Sequence, residues 1–301
     1  MIEAMDDRDG KIWLDGQMVE WREARPHVLS HALHYSSSVF EGERAYGGHV
    51  FRLRQHSARL KRSAELLDFE IPWTVEQIDA ATGAVVAAND IVDGYIRPIA
   101  WRGTNNALGV SAAGTSVHLA IAAWSWPEYF SAHAKLQGIR LSWAEWKRPA
   151  PDTAPWQSKA AGLYMIATLA KDRALKAGFD DALMLDWRGH VAEATGANVF
   201  LVIDGALHTP AADCFLAGIT RQTVIELARA RGIEVHERAI LPEELAQAQE
   251  MFLTGTAAEI TPVRELANHR FQVGQVTRQL MDDFAMLVRS EPARDGAQQA
   301  A

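Results

Sequence analysis

Gly189-His190-Val191-Ala192-Glu193-Ala194-Thr195-Gly196-Ala197-Asn198-Val199-Phe200 is the stretch around which the rest of the chain is read. One carboxylate, Glu193, lies among small neutral residues in a run leading into an apolar strand, Asn198–Ile203. There it needs a partner, or its own desolvation raises its pKa until it takes a proton. The plainer reading is a solvated glutamate on a hairpin that turns through Asp186-Trp187-Arg188-Gly189.

Three more segments crowd small residues around polar ones. Upstream, Ser158-Lys159-Ala160-Ala161-Gly162-Leu163-Tyr164 puts a lysine at the start of an expected helix, Ala160–Lys176, where the macrodipole disfavours a cation. It is either a solvated surface lysine or an amine held in a pocket, ready to form a Schiff base. Downstream, Leu216-Ala217-Gly218-Ile219-Thr220-Arg221 enters a helix through glycine, and Leu253-Thr254-Gly255-Thr256-Ala257-Ala258 turns after an apolar strand. Amides at a helix start, with threonine hydroxyls, form an anion site; ordinary capping has the same look. His27, His31 and His34 fall at i, i+4 and i+7 and could line one helix face as metal ligands, or be packing and loop histidines.

The 301 residues are 48% hydrophobic and 23% charged, which suits two globular domains. Thirty Lys+Arg against 38 Asp+Glu leave a net charge of −8, so no basic field exists to hold nucleic acid or an anionic membrane. One cysteine, Cys214, allows no intrachain disulfide, and points to a reducing compartment. The acidic start, Met1 to Lys11, has no apolar run of the kind a secretory signal needs, and no stretch approaches the roughly 18 apolar residues of a membrane span. A cytoplasmic protein is expected.

Period-two and period-3.6 patterns give an α+β first half. Ile12-Trp13-Leu14 and Gln17-Met18-Val19 flank Asp15-Gly16 as a hairpin. Helices are expected at Arg54–Leu67 and Thr74–Ala88, the second capped by Thr74; strands are expected at Tyr95–Trp101 and Ser116–Ala123. The domain boundary is placed in the Pro/Gly-bearing region at 126–137, between domains 1–125 and 138–301. In the second half the strands Ile233–Arg238 and Met251–Thr254 alternate with helices at Thr220–Arg231, Pro242–Gln247 and Thr277–Arg289. A polar tail, 291–301, is expected to be disordered.

Together with Val39-Phe40-Glu41-Gly42, His31-Ala32-Leu33-His34-Tyr35 and Gly255-Thr256-Ala257-Ala258-Glu259-Ile260-Thr261-Pro262-Val263, these segments resemble the class IV aminotransferases, and among them the branched-chain amino acid aminotransferases. The likeness runs in order from about Ile12 to Asp283. It implies an α/β chain of the D-amino-acid aminotransferase-like type (fold type IV): a small α+β domain, a larger barrel-like α/β domain, and pyridoxal 5′-phosphate between them. By that resemblance Lys159 is the Schiff-base lysine, Glu193 pairs with the pyridine nitrogen, and Tyr164 stands beside the phenolic oxygen. Leu216 packs on the ring, while Arg59, Ile219, Thr220 and Thr256 hold the phosphate. Thr256 and Ala257 take the substrate carboxylate, assisted by Tyr95 and Arg97; Tyr35, Phe40 and Gly42 line the side-chain pocket. Val110 belongs to a loop, Gly103–Val110, that reaches a neighbouring subunit's pocket, implying a homodimer or larger.

The implied reaction is ping-pong transamination of L-leucine, L-isoleucine or L-valine with 2-oxoglutarate. D-amino-acid or (R)-amine transaminases and aminodeoxychorismate lyase share the fold and stay open. Outside it stand a metal-dependent hydrolase on the three histidines and a silent relative that only binds the cofactor. The chain departs from the family pattern at Ser36, where glycine is usual, at Glu43, where an apolar residue is common, at Ala194–Ala197 and in the 103–110 loop.

Overall fold

The computed structural model describes residues 4–126 and 136–290. Most of the expected linker, and the 291–301 tail, lie outside the described residues.

Two sheets organise the chain. The first begins with β1 (Lys11–Leu14) and β2 (Gln17–Glu20), joined through Asp15 and Gly16, both at positive φ; this is the backbone that an Asp-Gly hairpin accommodates. A short helix α1 (His31–Tyr35) leads into β3 (Ser38–Phe40), β4 (Glu43–Tyr46) and β5 (His49–Val50). Helices α2 (Leu53–Glu65) and α3 (Val75–Ala88) follow, then β6 (Gly94–Arg102) and β7 (Val117–Ser125). The strand order is β2-β1-β7-β6-β4-β5, with β3 also on β6. Leu60, Ile78, Val85, Ile96, Leu119 and Ile121 form the core between the two long helices and this sheet. Thr74 caps α3 in a reciprocal box, its hydroxyl accepting from the Gln77 amide while the Gln77 side chain accepts from the Thr74 amide.

The second sheet uses β8 (Ile139–Trp143), β9 (Asp181–Leu185), β10 (Val191–Ala194), β11 (Asn198–Ile203) and β12 (Ala206–Pro210), with α4 (Met165–Lys176) between β8 and β9. It continues through α5 (Ile219–Ala230), β13 (Val235–Arg238), β14 (Glu250–Gly255), β15 (Glu259–Leu266), β16 (His269–Arg270) and α6 (Gln275–Arg289). Its order is β10-β9-β8-β15-β14-β11-β12-β13, and β10 pairs with β11 as well. That pairing, Glu193 opposite Asn198, closes six strands into a barrel. Leu141, Leu183, Val199, Leu253 and Val263 belong to one core cluster; Phe200, Phe252, Val224, Leu280 and Phe284 form another with α5 and α6. This is the fold type IV architecture.

Two expectations need correction. Lys159 does not open an α-helix: a 3-10 turn, Ala161–Tyr164, intervenes before α4. Ala160 is extended and bridges Val39, while the Lys159 amide donates to Ser63 Oγ and its carbonyl accepts from the Phe40 amide. The histidines do not share a helix face either, since α1 begins only at His31. His27 accepts from the Leu29 amide, His31 meets Ser37 and the Val110 carbonyl, and His34 meets the Val28 carbonyl. Each of the three rings makes its own local contact and they share no helix face, which removes the geometric basis of the hydrolase reading. The helical pattern also gives no hint of β3 and β4, whose few residues are too short to show a period.

Candidate active site

The barrel closure at Glu193 and Asn198 faces α2 of the first sheet, and a cleft opens between them. Arg59, Lys159, Tyr164, Glu193, Leu216, Ile219, Thr220 and Thr256 all line it. Residues from five separate segments therefore meet at one place.

At its centre Lys159 Nζ lies 2.8 Å from Tyr164 Oη. Across the cleft, burial pushes the Glu193 carboxyl up to about 7, with Arg148 and Lys159 pulling the other way. Arg148 Nε is 3.4 Å from Glu193 Oε1, and Asn198 Nδ2 donates to Oε2 at 3.3 Å. Asn198 also donates to the Leu216 carbonyl at 3.0 Å and accepts from the Gly218 amide at 3.0 Å. One amide thus fixes the acid and the loop carrying Leu216.

The other end of the cleft is built for an anion. α5 starts at Ile219 behind Gly218, with no side chain capping it, so its first amides and its dipole face the opening. Arg59, on α2, donates to Glu41 through Nε (2.6 Å) and Nη2 (2.8 Å), while Nη1 reaches toward the Ala217 carbonyl at 3.4 Å. Glu41 is fully buried. Burial alone would raise its pKa, yet Arg59 and His56 hold it below the usual carboxylate range. His56 in turn is pushed down by burial, so its neutral ring donates to Glu41 through Nδ1 at 2.7 Å. The pair pins the guanidinium plane.

The apolar residues form a second patch beside the lysine. The Phe40 ring packs on Tyr164 at 4.9 Å, with Lys159 Nζ 5.0 Å and Arg97 4.7 Å from its centre. Arg97 Nη2 donates to Tyr95 Oη at 3.0 Å. Gly42 is needed for this: a Cβ there would sit 2.0 Å from the Tyr95 hydroxyl oxygen. Ala257 follows Thr256 in the β14–β15 turn. Tyr35 and Val110 are not brought to this patch within one chain. Tyr35 is 39% exposed and packs on His31 and His34, and Val110, 80% exposed, stands on its own loop.

Residues 38–266 match the family model described as "Amino-transferase class IV". The chain belongs to the class IV aminotransferases. The branched-chain-amino-acid aminotransferase of Pseudomonas aeruginosa is 41% identical over 292 residues, covering 95% of each chain. Among solved structures, that of the Escherichia coli branched-chain amino acid aminotransferase superposes with a TM-score of 0.91 at 39% identity, over 96% of this chain and 98% of that one. A further branched-chain amino acid aminotransferase, solved in complex with N-(5′-phosphopyridoxyl)-L-glutamate, gives a TM-score of 0.89 at 38% identity, over 95% of this chain and 96% of that one.

Class IV aminotransferases depend on pyridoxal 5′-phosphate, and this aminotransferase's cleft fits that group on its own chemistry. An uncapped helix start and a braced arginine suit a phosphate dianion. A carboxyl raised to about 7 gains from a cationic ring N–H. Thr254 Oγ1, in the cleft wall, is buried without a hydrogen-bond partner among the described residues.

Sequence reasoning gives no role to Arg148, Asn198, Glu41 or His56. Glu41 and Asn198 stand inside the family motifs, and His56 lies one turn before Arg59, so those three carried a signal. Arg148 sits in irregular chain and carried none. No helix among the described residues is long and apolar enough to cross a membrane.

Proposed function

We propose that this class IV aminotransferase moves the amino group of L-leucine, L-isoleucine or L-valine to 2-oxoglutarate, in two half-reactions of ping-pong order. The observation that carries the reading is Lys159 Nζ against Tyr164 Oη, in a cleft with a helix start and an arginine suited to an anion at one end and an acid of raised pKa at the other.

Arg59, the Ile219 and Thr220 amides and Thr256 would hold the cofactor phosphate, Glu193 its ring nitrogen, Tyr164 its phenolic oxygen, and Leu216 one ring face. Bound there, pyridoxal 5′-phosphate supplies an aldehyde that takes up the amino group and a ring that takes up electrons left at Cα. Lys159 is the one amine in the cleft lining. Placed beside Tyr164, it would take the proton from the substrate's Cα as a general base and, as the acid, deliver it to the carbon that was the cofactor's aldehyde. Arg148 and Asn198 keep Glu193 turned toward the ring position. Leu216 and the Phe40 patch exclude water, which strengthens each charge contact.

Thr256 and Ala257 take the α-carboxylate through backbone amides. Phe40, Gly42 and Tyr95 give an apolar wall for a branched side chain. Arg97, held over Phe40 and against Tyr95, answers the second carboxylate of glutamate, which must occupy the same wall. The phosphopyridoxyl-glutamate adduct carried by a relative of 38% identity supports that choice. Tyr35 and Val110 act from a second copy of the chain in a homodimer, in keeping with their exposure here. We place the division between domains at 126–137 and the enzyme in the cytoplasm.

A donor panel tests the reading: L-Leu, L-Ile, L-Val, D-Ala and (R)-1-phenylethylamine, each with 2-oxoglutarate or pyruvate. Turnover of the three branched L-amino acids with 2-oxoglutarate is expected. Preference for D-Ala or the amine would move the chain to a sister activity on the same fold.

A further inference from the structure

The turn expected to take the substrate carboxylate is closed by an unusual residue. Thr256-Ala257-Ala258 joins β14 to β15, and Glu259 pairs across it with Gly255. Glu259 has φ +53°, the left-handed conformation that three-residue hairpin loops ordinarily give to glycine. A glutamate there carries backbone strain, and such strain persists where surrounding structure holds it for a purpose.

Its side chain shows what holds it. Tyr46 Oη donates to Glu259 Oε1 at 2.9 Å, and Arg44 Nη1 stands 3.3 Å from the same oxygen. Arg44 and Tyr46 are two apart on β4, so both leave the same face of the first sheet; Ala45 between them packs into the core below α2 and α3. Arg44 also donates to the Trp126 carbonyl at 3.5 Å, and Trp126 packs edge-on against Tyr95 at 4.9 Å. The arginine therefore joins the wall of the apolar patch to the turn. Arg44 and Tyr46 line a narrow recess behind the turn together with His56, Thr220 and Thr256, so the pair lies directly against Thr256.

We propose that Arg44 and Tyr46 latch Glu259, and that the latch sets the amides of Thr256 and Ala257 in the geometry that receives the α-carboxylate shared by every amino and oxo substrate. The three are positioning residues, and their role rests on the carboxylate assignment of the preceding section. Two different roles would look alike in a simple knockout. A glutamate that merely tolerates the turn is replaceable by glycine, which adopts that φ without strain. A latch is not.

The test compares Glu259→Gly, Glu259→Gln and Tyr46→Phe in the holoenzyme. Three quantities are measured: KM and kcat for L-leucine and 2-oxoglutarate, and Kd for 4-methylpentanoate from the visible spectrum. For Glu259→Gly, both KM values and the Kd should rise together by about tenfold, with kcat held within about twofold. Glu259→Gln keeps the acceptor oxygen and should stay within about threefold of the parent. Tyr46→Phe removes one donor and should shift KM and Kd by roughly threefold, which keeps the test decisive if the glycine variant does not fold. Parental KM and Kd in Glu259→Gly or, failing that, in Tyr46→Phe would overturn the latch. So would a loss confined to kcat. If the parent enzyme turns over no branched amino acid, the substrate reading falls, while the 4-methylpentanoate titration still reads the latch by itself.

Discussion

Glu43 is a fully buried acid and Glu193 a largely enclosed one at the edge of the cleft, and their surroundings give them opposite uses. Glu193 has Arg148 and Asn198 beside it and a cleft in front of it. Its pKa is raised to about 7 from 4.5 by burial. A raised carboxyl favours the folded state fully below the unfolded pKa and loses that contribution as pH climbs through the folded one. The apoprotein should therefore lose stability between about pH 4.5 and pH 7 on this group's account. Glu193→Gln apoprotein should melt higher than the parent at pH 8 and close to it near pH 5, with cofactor binding erasing its advantage; a thermal melt series checks this. Glu43 faces only the interior. It is fully buried, both oxygens lack a hydrogen-bond partner among the described residues, and burial with Glu41 and Asp79 nearby pushes its pKa well up. Glu43→Ile should raise the stability of the fold by about 1–3 kcal/mol at pH 8, read from denaturant unfolding, and leave kcat and KM unchanged. Ser36 shows the same kind of departure at lower cost: it ends α1 at φ +56°, a position glycine fills without strain.

Among the elements, the start of α5 bears most on the proposed cofactor site. Gly218 precedes it, and a Cβ at 218 would come 2.4 Å from Asn198 Oδ1, disturbing the amide that holds Glu193 and the Leu216 carbonyl. Gly218→Ala should weaken pyridoxal 5′-phosphate binding by roughly tenfold, seen by titrating apoprotein with the cofactor. This element was legible beforehand, because a glycine-led helix start carries a local chemical signature. So were α2, α3 and the first hairpin, whose periods and turn residues are local. The barrel was not legible from residues alone: β8–β9 and β8–β15 are parallel pairs between distant segments, and no local pattern encodes which strands meet. The 3-10 turn after Lys159 escaped for a related reason. Ala and Gly there suit helix or extended chain equally, and Ser63 and Phe40, about 100 residues away, decide between them.

At the scale of the whole molecule, the site exists because two sheets face each other. α2 brings Arg59 to a cleft otherwise lined by the barrel and the segments beside it, and Arg44–Glu259 and Arg52–Glu226 tie the halves together. The residues implied by the family resemblance at the cofactor line one cleft of a single chain, whereas Tyr35 and Val110 stand exposed outside it. If they complete a partner's pocket, Val110→Asp should raise KM for leucine about tenfold while leaving cofactor affinity as in the parent, and the parent should sediment as a dimer or larger. Unchanged KM in that variant would remove the loop from the pocket. The most direct measurement of the central claim is covalent: reduce the yellow holoenzyme with borohydride, digest it, and locate the phosphopyridoxyl group by mass. The account predicts that mass on the peptide containing Lys159 and its loss in Lys159→Ala. A label on another lysine, or none on a protein saturated with the cofactor, would contradict it.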